Sequence, residues 1–209
     1  MTAATDDTAA RFEGDIATHQ VVILRDDGVY RHIRFKRPTT MCMHFDLVTW
    51  PGYLCYSGDM GCFVFARLDD MFEFHRRPPG KLSIDYRYWA EKLQASNKNG
   101  GHEEFSEELF RAALASDLDD YCEGMEPGAA QALRDEVARE VLPNLEDGHY
   151  SAVQAAMGFS HNGRHPFCDF WDHRLMDHQH GFVWACHAIA WGIAAYDAAK
   201  DAAKEGAPA

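Results

Sequence analysis

Over the first third of the chain hydrophobic and polar residues alternate, and beyond it the period lengthens to that of a helix. His19 to Arg25 is β-branched and apolar. Asp26-Asp27-Gly28 then supplies a tight turn, and Val29 to Arg37 returns, which predicts a β-hairpin. On the return strand Arg31, Ile33 and Phe35 alternate with His32, Arg34 and Lys36, leaving one polar, basic side before Pro38 ends the run. Met41 to Trp50 reads as a third strand, with Met41, Met43, Phe45 and Leu47 on one face and His44 and Asp46 on the other. Pro51-Gly52 turns the chain into Tyr53 to Ser57. Gly58-Asp59-Met60-Gly61 turns it again, with Met60 expected at an exposed tip, into Cys62 to Arg67. Connections this short permit only antiparallel neighbours, so a five-stranded meander is predicted.

After Leu68 the pattern becomes helical. Asp69 is positioned to cap Asp70 to Arg76, which Pro78-Pro79-Gly80 stops. Ser83 caps Ile84 to Ala95, where Tyr86, Trp89, Ala90 and Leu93 share a stripe, and Asn97 to Gly101 is a loop. Ser106 opens a helix with Leu109, Phe110, Ala113 and Leu118 facing inward. Ala129 to Val141, Tyr150 to Met157, Phe167 to Asp177 and Phe182 to Ala199 follow, with Gly181 a point where the last two separate. The final helix is apolar nearly all round and carries Trp184 and Trp191, which places it at the centre, against the sheet. Strands first and helices afterwards predict a segregated α+β fold: a solvated tail at 1–18, one domain at 19–200 (sheet 19–67, helical half 69–200) and a frayed end at 201–209.

Charge sharpens this division. The chain of 209 residues has a net charge of −13; residues 1–80 hold 9 basic and 11 acidic side chains, whereas residues 81–209 hold 11 and 22. A protein that grips a nucleic-acid backbone shows the opposite balance, so direct nucleic-acid binding is disfavoured. The acidity is densest in Glu103, Glu104, Glu107, Glu108, Asp117, Asp119, Asp120, Glu123 and Glu126, opposed by Arg111. Carboxylates one helical turn apart are about 5–6 Å from each other, close to the spacing of phosphates along a DNA strand, so such a face suits a basic groove. The plainer account is the solvated face of an acidic protein. No run approaches the roughly 18 apolar residues of a membrane span, and the N-terminus lacks an export signal, which predicts a soluble, cytoplasmic protein whose six cysteines are reduced and buried.

Other candidate chemistry is weaker. Six of the twelve histidines fall between His161 and His187. If 169–180 is helical, Asp169, His173 and Asp177 recur on successive turns with His180 beyond, a stripe that can ligate a transition metal but equally forms ordinary ion pairs. A metal, if one binds, falls on His173, Asp177 and His180; HExxH is absent, no zinc-module spacing occurs, and no cofactor is implied. His187, alone in an apolar helix, reads as a core histidine bonded to a neighbour. His44 and Asp46 can form an acid/base pair in a cleft, yet no nucleophile elbow accompanies them. Arg31, Arg34, Lys36 and Arg37 read as an edge strand guarded against pairing with other chains rather than as a phosphate site.

The run RHIRFKRPTTMCMHFDLVTWPGYLCYSGDMGCFVFARLDDMFEFHR, with YWAEKLQA and FVWACHAIAWGIAAYD, resembles a family of uncharacterised proteins encoded by temperate bacteriophages and prophages. The resemblance spans most of residues 19–199 and is marked by the Trp-Pro-Gly and Gly-Asp-Met-Gly turns. It implies a small accessory phage gene acting in a bacterial cytoplasm and carries no catalytic residue or cofactor. With the acidic half, it leads to the expectation of stoichiometric binding to a host protein or nucleoprotein complex, such as an anti-CRISPR-like inhibitor of a defence nuclease, and not of catalysis. The rival expectation is a metal-dependent or acid/base enzyme using the His-rich segment 161–187.

Overall fold

A computed structural model describes residues 3–78, 83–98 and 100–205. It begins with α1 (Ala3–Ile16), then β1 (Gln20–Asp27), β2 (Tyr30–Lys36), β3 (Phe45–Trp50), β4 (Tyr53–Gly58) and β5 (Gly61–Ala66). Two short helices, α2 (Met71–His75) and α3 (Tyr86–Ala90), precede β6 (Leu93–Ala95). Next come β7 (Glu103–Phe105), α4 (Glu107–Tyr121), α5 (Pro127–Glu140), α6 (His149–Gly158), β8 (Met176–His178) and the long α7 (His180–Glu205). The architecture is α+β, with an antiparallel sheet ordered β1-β2-β3-β4-β5-β6. The chain folds as two compact units, Met1–Glu103 with His178–Ala209, and Glu104–Asp177.

In the first unit the strand alternation works as the sequence predicts. Ile33, Phe35, Phe45, Leu47, Leu54, Tyr56, Phe63 and Phe65 are buried on one sheet face, together with Phe182, Trp184, Ala185, Ala188, Ile189 and Ile193 of α7. Each large side chain removed from water here contributes about 1.5–3 kcal/mol. Trp184 meets Phe45 edge-on at 5.7 Å, and Phe182 meets Phe63 at 5.4 Å. At Gly192 a Cβ would lie 3.0 Å from Leu47 and 3.1 Å from Phe35, so the absence of a side chain lets α7 approach the sheet this closely. Polar ties fix the helix along its length. Trp184 donates to Asp15 at 3.0 Å, Arg76 grips Asp197 through two nitrogens at 2.8 and 3.0 Å, and Tyr196 donates to Asp26 at 2.7 Å.

The second unit has its own core, in which Phe110, Leu114 and Leu118 of α4 pack with Leu133 and Val137 of α5, Val153 of α6, and Phe167 and Phe170.

Several expectations are corrected. Residues 1–18 are not simply a solvated tail. They contain α1, a polar helix whose Phe12 is buried against Trp184 (5.0 Å), and one aromatic anchor among polar residues leaves little periodicity to read. β3 begins at Phe45, because residues 41–44 turn, with Met43 at φ 62° and the His44 N–H on the Met41 carbonyl. The stretch expected as one helix to Ala95 is α3, capped by Asp85 rather than Ser83, followed by β6 along β5. Residues 167–177 form a 3₁₀ turn at Phe170–Asp172 and then β8, which pairs with β7, and the Ser106 N–H bonds the Leu175 carbonyl. β2 is an interior strand: β1 is the edge. Two of the β2 cations are paired within the fold, Arg31 with Asp70 (2.9 and 2.8 Å) and Arg34 with Asp46 (2.8 Å to each oxygen), while Lys36 reaches the Pro38 carbonyl at 3.5 Å. Met60 is half-buried against the core rather than an exposed tip. Cys42, Cys62 and Cys168 are exposed, and only Cys122 and Cys186 are buried outright. Helix α7 runs through Gly181 and on to Glu205, so the expected frayed end is helical through residue 205. Pro79 and Gly80 of the expected helix stop, and residues 206–209, lie outside the described residues.

His75 is fully buried against Phe65 (5.1 Å) and Trp89 (4.4 Å), its Nδ1 on the Met71 carbonyl at 3.0 Å and its Nε2 without a partner among the described residues. Burial pushes its pKa down to about 3. The folded state thus holds it neutral, while the unfolded chain takes up a proton below about pH 6.5. Stability from this residue is complete above that pH and is lost as pH falls towards the folded value, at about 1.4 kcal/mol per pH unit. Urea denaturation between about pH 6.5 and pH 5 should show this loss, and His75→Phe should flatten it; an unchanged slope would contradict the assignment. Gly192→Val should cost about 1–3 kcal/mol by overpacking, read from the same titrations at neutral pH.

Candidate functional site

The second unit carries 16 acidic residues against 5 basic ones between Glu104 and Asp177. Its helix α4 is well specified locally. The Ser106 Oγ accepts the Leu109 N–H at 3.2 Å, Glu107 and Glu108 sit in the first turn where the helix dipole favours them, and Phe110, Ala113, Leu114 and Leu118 turn inward. Pro127 opens α5, which buries Ala130, Leu133 and Val137.

The nine carboxylates do not form one row. Glu103 is half-buried in the first unit, and Glu104 is exposed on β7. Glu107 pairs with Arg111 at 3.5 Å, and Asp119 with Arg134 at 2.7 Å. Asp117 is drawn onto the inner side of α4, where His173 Nε2 donates to it at 2.8 Å. Glu104, Glu108, Asp120, Glu123 and Glu126 are exposed, and none has an ion pair or side-chain hydrogen bond among the described residues. Between Glu108 and Asp119 the exposed positions of α4 are Arg111, Ala112, Ala115 and Ser116, none of them acidic. At about 1.5 Å per residue these two acids are roughly 16 Å apart along the axis. The helix period therefore divides the acids into clusters at the two ends of α4, not the phosphate-like ladder expected. Exposed Asp135, Glu140, Glu146 and Asp147 extend the acidity over α5 and the turn after it. The signal for these was the charge of the whole segment, not of the window ending at Glu126.

The histidine-rich segment is taken apart by the loss of its helix. His173 serves Asp117, Asp177 lies in β8, and His180 opens α7 in the first unit with its Nδ1 3.0 Å from Thr8 Oγ1. His161 stands 3.3 Å from Glu136, and His165 Nδ1 is 3.1 Å from the Phe159 carbonyl. Among the described residues no group of three or more His, Cys, Asp or Glu side chains is placed to hold a metal ion. The His44–Asp46 pair does not form either. His44 meets Asp59 at 3.0 Å, and Asp46 is enclosed by Arg34 and His32. Burial would raise the Asp46 carboxyl, but hydrogen bonds from Arg34 and His32 outweigh it and hold it below the usual carboxylate range.

One arrangement escaped sequence reasoning. In the first unit His102, His178 and Phe182 come together (ring centroids 5.4–6.3 Å apart), with Tyr86 beside His178 and bonded through its hydroxyl to His187 Nε2 at 2.8 Å. His187 is the core histidine with one neighbouring partner that its apolar helix implied. Burial lowers its pKa against a smaller opposing pull from Glu13. Stacked on Phe12, it shares with the Tyr86 hydroxyl a hydrogen bond that joins α3 to α7. No family model, curated protein or solved structure matches this chain. No helix among the described residues is long and apolar enough to cross a membrane.

Tyr86→Phe removes the hydroxyl and leaves His187 Nε2 without that hydrogen-bond partner. It should cost about 1–3 kcal/mol in thermal or chemical denaturation; a neutral result would show that the bond carries no net stability.

Proposed function

We propose that this chain acts by stoichiometric binding of a host protein or nucleoprotein complex, seating the acidic surface of its helical unit in a Lys/Arg-lined groove. The observation that carries the reading is the segregation of charge onto a unit whose packing does not require it. Glu104, Glu108, Asp120, Glu123 and Glu126 have no partners within the described fold. Carboxylates left in water on a surface of net charge −11 steer a basic partner to it and gain further when the groove excludes water. The separation of these acids into two clusters suits a groove with two cationic stations rather than one that tracks a continuous strand. A nucleic-acid-binding groove of a bacterial defence nuclease is such a surface, and occupying it would block the nuclease without catalysis. The reading implies the setting of a phage-encoded accessory protein acting in a bacterial cytoplasm.

The test is capture from lysate of a bacterium with an active RNA-guided nuclease, followed by binding kinetics with the captured complex. Association should slow steeply as salt rises from about 0.1 M to 1 M, over which the screening length falls from about 10 Å to 3 Å. Changing Glu104, Glu108, Asp120 and Glu123 together to lysine should lower the association rate by about tenfold to a thousandfold while leaving the thermal midpoint in place. Binding indifferent to both changes would reject the proposal.

A further inference from the structure

The sheet face turned away from α7 carries a pair of thiols. On β4, Leu54 and Tyr56 point into the core and Cys55 points away; on β5, Phe63 and Phe65 point in and Cys62 points away. The Asp59-Met60 turn sets the register, placing Ser57 opposite Cys62 and Cys55 opposite Val64. Cys55 and Cys62 are therefore diagonal neighbours, and their Sγ atoms lie 3.9 Å apart. Cys62 is exposed, with its N–H held by Asn97 Oδ1, while Cys55 is half-buried.

We infer that Cys55 and Cys62 form a reactive dithiol that closes reversibly to a cross-strand disulfide by exchange with a small-molecule disulfide such as oxidised glutathione. The two sulfurs have different tasks. Burial, and after it the neighbouring Cys62, push the Cys55 thiol up to about 12, so the exposed Cys62 is the group that attacks first. Its thiolate displaces one glutathione thiolate from the oxidised dimer, breaking that S–S bond and forming a mixed disulfide on Cys62. Cys55 then gives its proton to solvent and attacks Cys62 Sγ, and the second glutathione leaves as thiolate. Two protein thiols lose two electrons, and one glutathione disulfide becomes two glutathione thiols. Closure brings the sulfurs from 3.9 Å to about 2.05 Å. Diagonal positions on an antiparallel pair are about 7–8 Å apart between Cα atoms, beyond the usual 4.4–6.8 Å of a relaxed disulfide, so closure draws the two strands together locally and leaves a strained, easily reduced bond.

The full chain, incubated with oxidised glutathione at about pH 8, alkylated and mapped by peptide mass spectrometry, should show Cys55 joined to Cys62, and reduced glutathione should reopen it. Cys55→Ala should accumulate the Cys62–glutathione adduct at least about tenfold over the native chain, because nothing resolves it. In Cys62→Ala, Cys55 should remain unmodified. A native chain in which Cys62 stays glutathionylated while Cys55 is still alkylated would overturn the inference. So would a Cys55–Cys62 bond that resists reduced glutathione.

Discussion

The first unit depends on the burial of α7 against the aromatic face of its sheet. The face offered by Phe35, Phe45, Leu47, Tyr56, Phe63 and Phe65 comes from strands made early in the chain, and the helix that covers it comes last. Between them runs the whole of Glu104–Asp177. The sheet's largest apolar surface thus waits for a contact far away in sequence, whose loop-closure cost is met by aromatic burial. The remaining parts of the unit are arranged round that contact. Phe12 brings α1 onto Trp184, Arg76 and Asp197 tie α2 to α7, and Tyr86 and His187 tie α3 to it.

What could be read in the sequence follows the same physics. Strands with one buried face alternate with period two, and turns such as Asp59-Met60 are too short for any other topology, so the five-strand meander was legible. The central helix was legible because a segment apolar on every side has no other place to go. Segments held by one or two contacts were not. α1 rests on Phe12, β6 on the free edge of β5, and β8 on its partner β7, and none of these contacts leaves a period in the local sequence. The basic side of β2 was visible, but its meaning depended on Asp46 and Asp70, which only the folded sheet brings to Arg34 and Arg31.

The acidic surface was visible as composition, but its shape was not. Charge density along the chain says nothing about helix phase, and phase sends Asp117 inward to His173 while Asp119 meets Arg134. The acids left in water without partners, Glu104, Glu108, Asp120, Glu123 and Glu126, fall near the two ends of α4, and the proposed binding role rests on them. The histidine cluster fails for a related reason: its spacing mattered only on a helix, and residues 167–177 do not form one.

The dependence of the first unit on α7 can be tested by a chain ending at Asp177, compared with the full chain by near-ultraviolet circular dichroism and urea unfolding. Without α7 the sheet aromatics lose the surface that buries them. The aromatic signal from Phe45, Tyr56 and their neighbours should disappear, and with it the cooperative unfolding of the sheet. A shortened chain that keeps the near-ultraviolet spectrum and unfolds at the same urea midpoint would contradict the account.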